Sequence, residues 1–321
     1  MSLPALSLAA HFARLKDPRL KRRQRHEFLD SVVLAIAAVS GGADTWADIA
    51  LFGRCHQDWF KTFLALPNGI PSHDTFERLF GRINPQAFLH GFQQWIAALV
   101  ELFGVRHVAI DGKTLRRSGD RAAGLGPLHL VSAWATQQNL TLGQVAVERK
   151  SNEITAIPAL LKLLELKGAL VTIDAMGCQK AIARQIVTQG GDHVLTVKEN
   201  QPQLYQQVSD LFTQAINTDC AGLDWDEYGT ASRGHGRQER RTYWVLRDVD
   251  RLACKEAWVG LAAVGMCVRV RSIQGQESLE IRYFIGSKKA SARVYGQAFR
   301  HHWSILYFPR FPNLEPLIGS R

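Results

Sequence analysis

Between residues 106 and 217 short apolar runs alternate with longer amphipathic stretches, and two of the apolar runs close on an acid: HVAID at Asp111 and VTID at Asp174. Short apolar runs bounded by polar turns read as buried strands, and apolar residues recurring every three or four positions read as helices. On that basis HVAID is a strand ending at Asp111, and LHLVSAWAT, the turn QQN and LTLGQVAVE form a hairpin. AIPALLKLLELKG is then a helix, ALVTIDA a strand, CQKAIARQIVTQGG a helix closed by a glycine pair, HVLTVK a strand and QLYQQVSDLFTQAI a helix. Pro158 is tolerable only near the first turn of its helix, and Gly168 falls just past the end. Three strands, helix, strand, helix, strand, helix describes an α/β core. Its first strands form an antiparallel meander, and its later ones arrive by helical crossovers, which make parallel neighbours.

The segments on either side follow other rules. Up to about residue 100 the chain reads as helical, with HEFLDSVVLAIAAVSGG and TWADIALFGRCHQDWFKTFLAL carrying the helical spacing. The turn PNGIPSHDTF follows, and the pair Asp74 and Glu77 is expected to cap the helix TFERLFGRI. Ser72, His73 and Asp74 are adjacent in sequence and so cannot converge on one substrate atom as a hydrolytic triad must. From about 224 to 285 the strands in RQERRTYWVLRD, AWVGLAAVGMCVRVRS and SLEIRYFIGS suggest a smaller β-rich insertion, and ASARVYGQAFRHHWSI a final helix. The expected division is a helical domain over 1–100 and an α/β core over 101–321 that contains the insertion and an incomplete last helix.

With 46% hydrophobic and 21% charged residues in 321, the composition is that of a globular protein, with length for two or three folded units. No apolar run reaches the roughly 20 residues needed to span a bilayer. The start, MSLPALSLAAHF, lacks the basic lead of a signal peptide, so a cytoplasmic protein is expected. Five scattered cysteines without a C-x-x-C pair point to neither a disulfide framework nor a cysteine zinc site. A formal charge of +10 favours a polyanionic partner, although solubility alone also accounts for such a charge.

Ligand sites in α/β sheets gather at the carboxyl ends of the strands. Asp111 and Asp174 are either two turn-forming acids or a pair that seats divalent cations, since neighbouring carboxylates repel unless a cation lies between them. Two such ions activate a nucleophile and steady the leaving oxygen in phosphodiester chemistry. Lys113, Arg116, Arg117 and Arg121 follow the first acid, Lys198 ends the next strand, and SRGHGRQERR supplies Arg233, Arg237, Arg240 and Arg241. These residues are either solvated faces or contacts to phosphates. RLKDPRLKRRQRHE, from Arg14, reads equally as a basic arm on a nucleic-acid backbone and as a polar lead into the first helix.

The stretches LPNGIPSHDTFERLF, AIDGKTLRRS, ERKSNEITAIPALL, TIDAMGCQKAIARQI, HVLTVKENQPQL and HGRQERR together resemble the H-repeat-associated (ISAs-type) transposases of bacterial insertion sequences. The resemblance runs from about residue 12 to residue 305. It implies a ribonuclease-H-like catalytic core, a helical associated domain and a β-rich insertion before the last catalytic helix. It also implies cutting and joining of double-stranded DNA at element ends by two Asp and one Glu that bind two Mg2+ (or Mn2+) ions. Asp111 matches the first acid and Asp174 the second. A homodimer on paired ends and a nucleoid-associated location follow by analogy.

The third acid departs from the pattern. His302, Trp303, Ser304 and Ile305 match the last helix, but Leu306 stands where Glu is expected. The following LYFPRFPNLEPLIGSR is unlike the family, as a frameshift or a rearranged end would make it. Neither Glu315, in that unmatched stretch, nor Glu199, in another motif, substitutes convincingly. The expectation is a transposase impaired in catalysis, against the alternatives of a non-catalytic DNA-binding remnant or repressor and of a small-molecule phosphohydrolase.

Overall fold

The structure is a computed structural model that describes residues 7–20, 22, 24–104, 106–114, 129–138, 140–147, 152–234, 236–303 and 305. It separates into two compact units that meet in sequence at Gly104 and Val105.

The first unit is helical: α1 (Leu8–Phe12), α2 (Phe28–Ser40), α3 (Trp46–Cys55), α4 (Gln57–Phe60), α5 (His73–Phe80) and α6 (Pro85–Phe103). Helix α2 is apolar on nearly every side, and eight of its residues from Ser31 to Val39 are buried, so it forms the centre of the unit. Thr45 and Asp48 close a reciprocal capping box on α3, and Asn84 accepts from the Ala87 N–H at 2.9 Å to start α6, with Pro85 at its first position. The long stretch read as one helix from Thr45 onward breaks at His56, whose backbone (φ −115°, ψ 20°) leaves the helical region between α3 and α4. Ser72, not Asp74, is the cap residue of α5: it is extended, and its carbonyl takes the N–H groups of Thr75 and Phe76. Asp74 lies in the first turn, beside His73 at 3.2 Å on the surface.

The second unit is built on one nine-stranded mixed sheet in the order β3-β2-β1-β4-β5-β9-β8-β7-β6. The strands are β1 (His107–Thr114), β2 (His129–Ala135), β3 (Leu140–Ala146), β4 (Leu170–Ile173), β5 (Asp192–Val197), β6 (Trp225–Gly234), β7 (Arg237–Leu246), β8 (Ala263–Ile273) and β9 (Gln276–Gly286). β1, β4 and β5 run parallel, and every other neighbouring pair is antiparallel. The crossovers are α7 (Glu153–Leu161) and α8 (Lys180–Thr188), α9 (Pro202–Asn217) leads into β6, and α10 (Ala292–His302) closes the fold. Strands β6 to β9 fall within the stretch expected to be β-rich. Residues 194–197 of β5 pair with 283–286 of β9, so the late strands lengthen the same sheet.

The bounds of one helix and one strand differ from expectation. Helix α7 begins at Glu153, which puts Pro158 in its sixth position and not in its first turn. The helix ends three residues later, so the ring interrupts only one short run of hydrogen bonds. Strand β1 continues three residues past Asp111, because Gly112, Lys113 and Thr114 go on pairing with Val131, Leu130 and His129.

Alternation along the strands sorts their side chains to two faces. On one, Phe284 packs against Tyr295 and Phe299 of α10 (ring centroids 5.5 and 5.6 Å apart), with Tyr243, Val245 and Val194 in the same cluster. On the other, Tyr283 stacks against Phe212 of α9 at 5.9 Å. Opposite Phe284, Gly265 leaves room for its ring: a Cβ there would lie 1.9 Å from it. Gly265→Ala is therefore expected to destabilise the protein by about 2 kcal/mol in urea denaturation. Gly229→Ala on β6, with no atom within 4 Å of the added carbon, should change stability by less than about 0.5 kcal/mol.

Candidate active site

Strands β1 and β4 are parallel, with Ile110 opposite Ile173, so the next residues, Asp111 and Asp174, stand level where the two neighbouring strands run on. Strand alternation puts both on the face that carries His107 and Thr172, under the end of α10. Both carboxylates are half-buried. Burial first, then the Asp174 charge and then that of Glu153, push Asp111 up to about 6, against the opposing effects of the Gly112 N–H and Lys113.

Asp174 is held by its own loop. Its Oδ1 accepts from the Met176 N–H at 3.1 Å, a local turn that follows directly from Asp at a strand end. The loop after β5 fastens the one after β4: Asn200 donates to the Ala175 carbonyl at 2.7 Å and Gln201 to that of Cys178 at 2.9 Å. Cys178 is buried, and burial followed by the Asp174 charge pushes its thiol up to about 12, so it stays neutral.

Beneath the aspartates runs a buried polar chain. His107 reaches Thr136 Oγ1 at 2.7 Å through Nδ1 and Thr172 Oγ1 at 2.9 Å through Nε2, and Thr172 Oγ1 lies 3.0 Å from Nδ1 of His302 on α10. Burial pushes His107 down to about 3 and His302 to about 4, so both rings are neutral near pH 7. His302 is thereby tied to β4 directly below Asp174.

A second polar chain lies on the opposite face. The Glu153 carboxylate, at the start of α7, lies over Gly112 in the space that a Cβ would take, and it accepts from Nε2 of His129 at 2.5 Å. With Nε2 donating, Nδ1 of a neutral ring accepts from the Thr114 hydroxyl at 2.6 Å. Thr114 and His129 flank residues 115–128, so this chain joins the two ends of that segment. Glu153, His129 and Thr114 were not singled out as functional residues from the sequence. The only signal was their position in stretches already striking for other reasons, since contact across three elements leaves no local pattern.

The basic residues divide. Lys113 is half-buried on β1, with the parity of Asp111, and Lys198 is exposed one residue beyond β5, with the parity of Asp174. Arg116, Arg117 and Arg121 lie outside the described residues, as does Leu306. Arg233, Arg237, Arg240 and Arg241 are on β6 and β7, and β5, β9 and β8 stand between β4 and β7, roughly 19 Å at ordinary strand spacing. Arg237 and Arg241 bind buried Glu239, at 2.9 and 2.5 Å, while Arg233 leans on Gln238. The sequence reading missed Arg269, Arg271 and Arg282, which join Glu239 and Glu280 on the same face of β7 to β9. Alternation in VRVRS was the available signal.

Two level carboxylates, one reluctant to ionise, suit a hard divalent cation, which takes one or two carboxylates and fills its shell with water and phosphate oxygens. Among the described residues, no group of three or more His, Cys, Asp or Glu is placed to hold a metal ion.

Comparison with known proteins gives concordant matches. Residues 9–96 match the family described as DDE_Tnp_1-associated, and residues 103–305 match the Transposase DDE domain. The chain is 43% identical over 282 residues to an uncharacterized protein in the dhlA 3' region of Xanthobacter autotrophicus, covering 87% of this chain and 94% of that protein. It is 37% identical over 304 residues to the H repeat-associated putative transposase YhhI of Escherichia coli K12, covering 93% and 79%. To YbfD of the same strain, described in the same words, it is 38% identical over 246 residues, covering 76% and 96%.

Because Asp111 is raised from 3.8 to about 6, its ionisation opposes folding in the absence of a cation. Stability is then fully present below about pH 4 and falls as pH rises through about 6, by the order of 2–3 kcal/mol. In EDTA, Asp111→Asn should be the more stable protein at pH 8 by that order, and the difference should vanish near pH 4. Denaturant titrations across pH measure it.

Proposed function

The chain belongs to the H-repeat-associated DDE transposases, and we propose that it acts on double-stranded DNA at insertion-sequence ends by two-metal cleavage and joining of phosphodiesters. The observation that carries this reading is the level pair Asp111 and Asp174 on one face of β1 and β4, with Asp111 pushed up to about 6 in part by its neighbour. The strand order β3-β2-β1-β4-β5, antiparallel for the first three and parallel after, supports a ribonuclease-H-like core. Among the described residues, no helix is long and apolar enough to cross a membrane. The reading includes a cytoplasmic, nucleoid-associated protein that works as a homodimer on paired ends.

Asp111 and Asp174 are the residues that would hold Mg2+ or Mn2+ ions, which when bound would supply an activated oxygen nucleophile and stabilise the leaving oxygen. The residues of the chain do the rest. Lys113 and Lys198, on the same face as the acids, take phosphate oxygens of the strand being cut, and Arg116 and Arg117 extend that contact. Arg233 and Arg240, exposed on β6 and β7, meet the duplex farther along, while Arg237 and Arg241 shape that face through Glu239. His107 and His302, both neutral, hold the strand ends without adding charge that would compete with the ions.

Leu306 stands in the sequence where the third acid is expected, so ions at Asp111 and Asp174 would lack a ligand from this chain and the attacking oxygen would be less well placed. Misplacement by about 1 Å costs roughly 100-fold in rate. Strand transfer is therefore impaired, and the same substitution favours a second reading, a non-catalytic protein that occupies element ends or represses an intact relative. Nicking of end-containing DNA in Mg2+ or Mn2+ separates the two. Leu306→Glu with a family-like tail is expected to raise nicking about 100-fold or more over the present chain, and Asp174→Asn in that background to remove it. A repaired chain that binds the ends and magnesium yet stays inert sinks the reading.

A further inference from the structure

Within the helical unit, a pocket of about 740 Å³ is lined by Arg19, Arg25, His26, Asn68, Ile70, Ser72, Thr75, Arg78, Leu79 and Arg82. Its two walls come from distant stretches. One is the segment leading into α2, which carries Arg19, Arg25 and His26; the other is the turn before α5 together with one face of that helix. Thr75, Arg78 and Leu79 lie on one face of α5, and Arg82 follows in the turn just past its end. The walls are tied to each other, since Asn68 donates to the Arg25 carbonyl and His26 Nδ1 lies 3.2 Å from that of Gly69.

The charges in this pocket are not matched. Arg19 is neutralised by Asp17 and held by the His26 carbonyl at 2.9 Å, which makes it part of the wall. Arg78 bonds only to a carbonyl, that of Asp74 at 3.0 Å, and keeps its charge. The side chains of Arg25 and Arg82 have no hydrogen-bond or ion-pair partner among the described residues. Three guanidinium groups thus face one cavity without a carboxylate. Around them stand the hydroxyls of Ser72 and Thr75, 3.0 Å apart, and the Asn68 amide, groups that commonly bond phosphate oxygens. Arg is the residue suited to phosphate through two parallel hydrogen bonds. His26 senses the field: burial and then the Arg25 and Arg19 charges hold its imidazole below the ordinary range, although the Gly69 carbonyl opposes them.

We propose that this pocket is a phosphate-binding site, separate from Asp111 and Asp174, and that the phosphates it takes are those of the DNA backbone. The preference for a phosphate group stands on the pocket alone; its assignment to DNA rests on the function proposed above.

The test uses the full chain. Binding to an end-containing duplex is measured against salt for the parent, for Arg78→Gln with Arg82→Gln, and for a control that removes two exposed cations outside the pocket, Arg54→Gln with Lys61→Gln. Each lost phosphate contact lowers the log-log salt slope by about 0.9, so the pocket variant should lose roughly 2 units and bind about tenfold more weakly at low salt, with the control near the parent. Circular dichroism melts check that the exposed substitutions leave the fold intact. In parallel, inorganic phosphate and a nucleoside monophosphate are tested for a rise in Tm and for an upward shift of the His26 titration by NMR.

A slope change confined to the pocket variant supports the DNA assignment. Phosphate effects that the pocket variant abolishes, with DNA slopes equal to those of the control, overturn it in favour of a free phosphate ligand. Equal slopes in pocket and control variants with no phosphate effect overturn the site altogether. The salt slopes are measured in EDTA and nicking in Mg2+ or Mn2+, so a failure of catalysis and a failure of this pocket are read from different measurements.

Discussion

The parallel pairing of β1 with β4 is the constraint on which the second unit depends. A register that sets Ile110 against Ile173 makes the following two acids neighbours. A slip of one residue would turn one carboxylate to the opposite face and remove the site. Most of what surrounds the pair serves that register. Gly112 admits the Glu153 carboxylate from α7, the loop after β5 bonds the loop after β4, and Thr172 links β4 both to His107 on β1 and to His302 on α10. The acids are thus level because several elements from distant parts of the chain are bonded to the same two strands.

Burying two carboxylates side by side is unfavourable, and the local chemistry concentrates that cost on Asp111. Its neighbours Thr172, His107 and His302 are neutral and hydrogen-bonded in a chain, so they bring no charge that would relieve the acids. The pair is therefore left with negative charge that its buried neighbours do not offset, and ionisation of Asp111 opposes folding.

Charge on the remainder of the protein is organised differently in its two units. On β7 to β9 the arginines alternate with Glu239 and Glu280, which hold several of them in place across the strands. In the helical unit the pocket beside α5 has, among the described residues, three guanidinium groups outside any ion pair and no carboxylate lining it. The overall excess of basic residues is the same kind of charge in both places, but only pairing tells which part of it is free to meet a polyanion.

Much of the core was legible in the order of residues because its signals are local. Apolar runs, amphipathic spacing and glycine-closed helices marked the meander, the crossovers and the final helix, and the two strands carrying Asp111 and Asp174 were visible as such. The errors arose where a non-local partner decides. β1 runs past Asp111 because β2 continues to pair with it; α7 starts early, at Glu153, and so contains Pro158; Ser72 displaces Asp74 as a cap through its backbone conformation. Strands β6 to β9 were legible as β-rich sequence, but that β9 pairs with β5 was not. By itself the sequence determined the family, the kinds of elements and their order, since those depend on side-chain periodicity and motif. Only the tertiary structure decided which residues face one another, because register, strand order and ion pairing are set by contacts between segments tens of residues apart.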